Sequence, residues 1–80
     1  NYPNPFNPTA TIEYDLPISI FVKLSVFDIL GREIAILVNE NRSVGKYSVT
    51  FDTSNLPAGI YFYRMQAGEF QETRKLVLLK

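Results

Sequence analysis

The chain has 80 residues, 46% of them apolar and 14% aromatic, with eight cations against eight anions. That size admits one domain, the apolar share argues for a folded one rather than a disordered one, and a net charge of zero speaks against nucleic acid as a partner, since that binding needs an excess of Lys and Arg. Cys and His are both absent, which removes disulfides, thiolate and imidazole metal ligands, and the usual general base.

The opening Asn1-Tyr2-Pro3-Asn4-Pro5-Phe6-Asn7-Pro8 carries three prolines. Each lacks an N–H and biases its neighbour towards extended geometry, so residues 1–8 read as an extended leader. Tyr2 and Phe6 are expected to hold that leader on the domain formed by residues 9–80. The chain begins at Asn1 rather than Met, as a piece of a longer protein would. No apolar run approaches the roughly 20 residues of a membrane helix.

From Thr9 to Leu16 the pattern alternates, Ile12, Tyr14 and Leu16 on one face and Thr11, Glu13 and Asp15 on the other. That is a half-buried strand, closed by Pro17. A second strand is expected over about Phe21 to Asp28, with Val22, Leu24 and Val26 inward. Asp28-Ile29-Leu30-Gly31 then reads as a tight turn. The Asp28 carboxylate can accept a backbone N–H two residues on, and Gly31 can take a positive φ. Arg32 to Val38 returns as a third strand, whose continuous apolar content assigns no face. A short helix is its rival, although the β-branched residues favour a strand. Asn39 to Val44 reads as a polar loop.

Alternation resumes from Gly45 through Tyr47, Val49 and Phe51, and Asp52-Thr53-Ser54-Asn55 supplies turn chemistry. In Leu56-Pro57-Ala58-Gly59-Ile60-Tyr61, Pro57 and Gly59 make a corner and Tyr61 begins a strand of alternating aromatics. The spacing resembles a tyrosine corner, in which a Tyr hydroxyl bonds to backbone a few residues upstream and locks a connection between sheets. Tyr61 is expected to do so near Pro57. The plainer reading makes it a core aromatic. Ala67-Gly68 leads to a last strand, about Phe70 to Lys80, ending Leu76-Val77-Leu78-Leu79. Both faces of that end are apolar, so it is either covered on both sides or keeps one face for a partner.

Six or seven short strands with turns between them and no convincing helix indicate an all-β fold. The expected form is a small antiparallel immunoglobulin-like β-sandwich with Greek-key connections. Charge is uneven along it: residues 1–40 carry a net −3 and residues 41–80 a net +3. Either strands of opposite sign pair across a sheet, or the basic carboxy-terminal edge meets a partner. No serine sits in a nucleophile elbow or near an activating base, and the four glycines form no phosphate loop. Asp15, Asp28 and Asp52 have no recognisable calcium-ligand spacing. Neither catalytic nor cofactor-binding nor metal-binding residues are expected.

Several motifs occur in an order that carries a resemblance: Tyr2-Pro3-Asn4-Pro5-Phe6-Asn7-Pro8, Ile12-x-Tyr14-x-Leu16-Pro17, and Val22-x-Leu24-x-Val26-Phe27-Asp28-x-x-Gly31-Arg32-Glu33. Gly45-x-Tyr47-x-Val49, Leu56-x-x-Gly59-x-Tyr61-Phe62-Tyr63-Arg64 and Thr73-Arg74-Lys75-Leu76-Val77-Leu78-Leu79-Lys80 follow. Over essentially its whole length the sequence resembles the carboxy-terminal sorting domains of the type IX (Por) secretion system, type A. The resemblance implies a non-catalytic address label on a larger amino-terminal cargo, read in the periplasm and guided across the outer membrane to the cell surface or beyond. It implies a translocon and a surface sortase as partners. It also places recognition on Gly59, Tyr61 and the terminal strand from Arg74 and Lys75 through Leu76, Val77, Leu78 and Leu79 to Lys80. Edge pairing of that strand would support a homodimer. The same motif order also resembles the immunoglobulin-like domain of the flagellar hook-capping protein and of accessory modules in multidomain hydrolases, where the role would be structural.

Overall fold

The structure is a computed structural model describing residues 8–79. The expected leader, apart from Pro8, and Lys80 lie outside the described residues. Six strands follow one another: β1 (Thr9–Leu16), β2 (Ile20–Phe27), β3 (Glu33–Arg42), β4 (Gly45–Asp52), β5 (Gly59–Ala67) and β6 (Phe70–Leu78). They form two antiparallel sheets, β1-β4 and β3-β2-β5-β6. The chain changes sheet after β1, after β3 and after β4. Two hairpins, β2-β3 and β5-β6, stay within the large sheet and the other connections cross between layers, in the Greek-key manner of a small immunoglobulin-like sandwich, here with six strands.

Period-two patterning explains which side of each sheet is inside. In β1, Ile12 and Leu16 are buried; in β2, Val22, Leu24 and Val26 are fully buried; in β5, Tyr61 and Ala67 are buried. These residues pack as two adjoining clusters. One is centred on Ile12, Leu16, Val22, Leu24 and Val38, the other on Val26, Tyr61 and Leu78.

The third strand departs from expectation in length. Residues 39–42 continue β3 rather than forming a loop, with Asn39 opposite Lys23 and Asn41 opposite Phe21, so only Ser43 and Val44 join β3 to β4. The reason is cross-strand pairing: β2 extends to Ile20 and offers a complete ladder, which outweighs the weak strand propensity of Asn and Glu. Two register shifts, between Leu24 and Ser25 and between Val26 and Phe27, interrupt this pair. Each bulge places an extra residue on β3 and resets its alternation. Leu37 and Val38 consequently both face the core while Ile34 and Ile36 stay exposed. A strictly alternating pattern could not have shown this.

The charge halves do not pair as units. Among the described residues, Lys23–Glu33 and Arg32–Asp28 lie within the first half and Arg74–Glu72 within the second, and only Arg42–Glu40 joins the two, as near neighbours on one strand. Asp15 does stand opposite Lys46 in the β1-β4 ladder.

Among the described residues the small sheet has two strands, so β1 has one open edge there. Beneath it the inner face of β5 and β6 is only partly covered. A groove of about 470 Å³ runs there past Leu16, Leu24, Met65, Ala67, Phe70 and Arg74.

Candidate partner-recognition site

Three chain segments meet at one end of the sandwich: the β2-β3 turn, the connection entering β5, and the end of β6. The register sets this, because Phe27 pairs with Phe62 and Gly59 with Leu78.

The turn is built on Asp28. Its Oδ1 accepts the N–H groups of Leu30 and Arg32 (2.9 Å each), and its Oδ2 accepts the Arg32 Nε–H at 2.7 Å. The Gly31 N–H donates to the Asp28 carbonyl at 3.0 Å, and the Asp28 N–H to the Arg32 carbonyl at 2.9 Å. Gly31 has φ +82°, a left-handed conformation that costs a residue with a Cβ roughly 1 kcal/mol or more. The three bonds to the Asp28 carboxylate oxygens stabilise the ionised form. The Arg32 backbone N–H contributes most, ahead of its guanidinium and the Leu30 N–H, and the carboxyl is held below its ordinary range. The bond to Leu30 is the one expected from the Asp residue. The bonds to Arg32 were not foreseen, although an Arg four residues after a turn Asp is their visible signal. No metal-holding group of three or more acidic residues occurs among the described residues.

The entry to β5 is the corner. The Ser54 N–H donates to Asp52 Oδ1 at 2.8 Å, the Leu56 N–H to the Thr53 carbonyl, and the Thr53 N–H to the Pro8 carbonyl, both at 3.0 Å. Gly59 starts the strand at φ +148°. The Tyr61 ring is buried with Val26 and Leu78, and its hydroxyl donates to the Pro57 carbonyl at 2.7 Å. A second bond of the same kind escaped the sequence reading: the Tyr47 hydroxyl donates to the Ser43 carbonyl at 2.7 Å, again four residues upstream. Tyr47 also stacks on Tyr14 with centroids 5.2 Å apart, and the Arg42 guanidinium lies 5.3 Å from the Tyr47 ring.

The terminal strand separates the apolar residues that composition alone could not. Leu78 is buried and Leu76 half-buried, both on the core side, whereas Val77 is 50% and Leu79 87% exposed. Lys75 is exposed opposite Phe62, and Arg74, opposite Tyr63, is ion-paired to Glu72. Because β6 pairs only with β5, its other ladder is open among the described residues.

On the outer face of the large sheet, Arg64 spreads over the Phe27 ring at 4.7 Å and bonds Thr73 Oγ1 at 3.1 Å. Ser25, between Ile36 and Arg64 in the register, is 2% exposed although it faces outward. The face is thus layered rather than a plain solvated surface.

Fold and site together define the class: an immunoglobulin-like β-sandwich module with an open terminal edge. The family model described as the secretion system C-terminal sorting domain matches residues 1–79, and the chain belongs to that family of type IX secretion sorting domains. No curated protein and no solved structure matches the chain. Membership makes the domain a sorting signal, of a non-catalytic family, carried by a cargo that type IX secretion exports.

Proposed function

We propose that this domain directs a larger, amino-terminal cargo from the periplasm across the outer membrane, and that the translocon reads it chiefly through β6. The observation that carries this reading is the position of β6: an edge strand with an open ladder, Leu76 and Leu78 anchoring it in the core and Val77, Leu79 and Lys75 turned outward. An edge of this kind gives main-chain hydrogen bonds for affinity, and alternate side chains give selectivity. A machine that exports unrelated cargos needs a shared folded feature, and a strand stapled to the core on one face keeps its other face in a fixed geometry. After passage, a surface sortase acts on the cargo–domain junction. The domain itself has no catalytic role.

The test is a reporter with a cleavable signal peptide, fused in front of this chain and expressed in a bacterium that has type IX secretion. Surface protease accessibility of the reporter is the expected result. A reporter that stays periplasmic with the domain attached and folded would overturn the proposal.

A further inference from the structure

The two motifs that flank the core, Asp28-x-x-Gly31-Arg32 and Leu56-x-x-Gly59-x-Tyr61, lie far apart in sequence but frame one groove of about 420 Å³. Its walls are aliphatic: Ile29, Leu30 and Ile34 from the β2-β3 hairpin, and Leu56 and Ile60 from the corner. Four of these are unusually open for their type, Leu30 at 74%, Ile29 at 67%, Ile60 at 40% and Ile34 at 38%. A two-residue aliphatic turn tip is costly to expose and contributes nothing to this core, whereas turn positions ordinarily carry Gly, Asn, Asp or Ser. The turn is also rigid, since Asp28 fixes Leu30 and Arg32 by three bonds. Ile60 pairs with Val77 in the ladder, so the groove lies next to the exposed side of β6.

Charge specifies what fits there. On this end and the adjoining outer face stand Lys23, Arg32, Arg64 and Lys75 against Asp28, Glu33 and Asp52. Each of these anions is already engaged, Glu33 by Lys23 at 3.4 Å, Asp28 by Arg32, and Asp52 by the Ser54 N–H at 2.8 Å. Arg32 uses its Nε on Asp28, and its terminal nitrogens have no partner among the described residues, on a side chain that is 72% exposed. A guanidinium held in this way is a ready receptor for a carboxylate.

We propose that this end of the sandwich, and not β6 alone, docks on the export machinery. The occupant is a protein segment that places an aliphatic side chain between Leu30 and Ile60 and an acidic residue against Arg32. The inference rests on the sorting function proposed above and extends its surface to the two motifs.

The test uses the same reporter fusion, with the full domain. Ile29→Ser combined with Leu30→Ser should lower surface delivery at least tenfold while the melting temperature of the purified domain stays within about 2 °C, since neither side chain is in the core. Arg32→Glu should lower delivery similarly, and Arg32→Lys should retain more than Arg32→Glu. Ile18→Ser and Val44→Ser, exposed aliphatic positions at the opposite end, should export normally. Normal export of the Ile29→Ser/Leu30→Ser double variant, with the unmodified fusion exported, would overturn this inference and leave the sorting function standing. Failure of the unmodified fusion would instead refute the sorting function. Sedimentation of the domain identifies the remaining occupant: self-association that the double variant abolishes would assign the groove to a second copy and contradict the proposal.

Discussion

Replacing Tyr61 by Phe isolates one oxygen atom. The ring stays in the cluster with Val26 and Leu78, and only the 2.7 Å bond to the Pro57 carbonyl is lost. Had that carbonyl been sealed from water, the cost would be that of an unpaired buried acceptor, up to about 3 kcal/mol. Pro57 is exposed, however, so water can replace the hydroxyl there. The loss is then the net value of a hydrogen bond, about 0.5–1.5 kcal/mol. For a domain of this size about 1 kcal/mol shifts the melting temperature by about 4–8 °C. Tyr61→Ala should cost far more, about 3–5 kcal/mol, because it opens a cavity beside Val26. Thermal and urea unfolding of the three proteins, followed by far-UV circular dichroism, would give both differences. A Tyr61→Phe domain that melts with the parent would show that the hydroxyl does not lock the corner. A loss as large as that of Tyr61→Ala would show that the ring is not independently held.

The two stacked tyrosines should part company on the same substitution. Tyr14 Oη is buried with no hydrogen-bond partner among the described residues, and burial raises its pKa; Tyr14→Phe should therefore leave stability unchanged or improved. Tyr47→Phe, which gives up the bond to Ser43, should lose about 0.5–1 kcal/mol; equal urea midpoints for the two variants would refute the distinction. Acid should act through Asp28. Its folded-state pKa lies below the unfolded value of about 3.9, so its stabilising effect is complete above that value and is lost as pH falls through the lower folded pKa. The stability gap between the parent and Asp28→Ala should stay constant from pH 7 to about pH 5 and narrow below about pH 4; a gap that widened in acid would contradict the sign.

The sequence was most readable where a residue type has one physical use. Val22, Leu24 and Val26 at period two could only be a buried face, and Asp28 with Gly31 could only be a turn. Tyr61 was readable because Pro57 and Gly59 beside it forced a corner. The third strand was not readable, because its alternation is reset by two bulges that depend on β2 and leave no local mark. The strand over residues 39–42 was hidden for the same reason: Asn39, Glu40 and Asn41 are strand residues only because Val22 and its neighbours offer a ladder. At the terminal strand, four consecutive apolar residues concealed which two face the core. Pairing of Leu76 with Tyr61 and of Leu78 with Gly59 decided it. The convergence of the two motifs on one groove is tertiary, and no pattern within either motif could have indicated it.

The claim on which the functional account depends is that a translocon reads the outward side of the last strand. Val77→Ser with Leu79→Ser changes only that side, leaving Leu76 and Leu78 in place. In an exporting host, the fusion carrying both substitutions should accumulate in the periplasm, with the purified variant domain folded as the parent is. Undiminished arrival of that reporter at the cell surface would contradict the account.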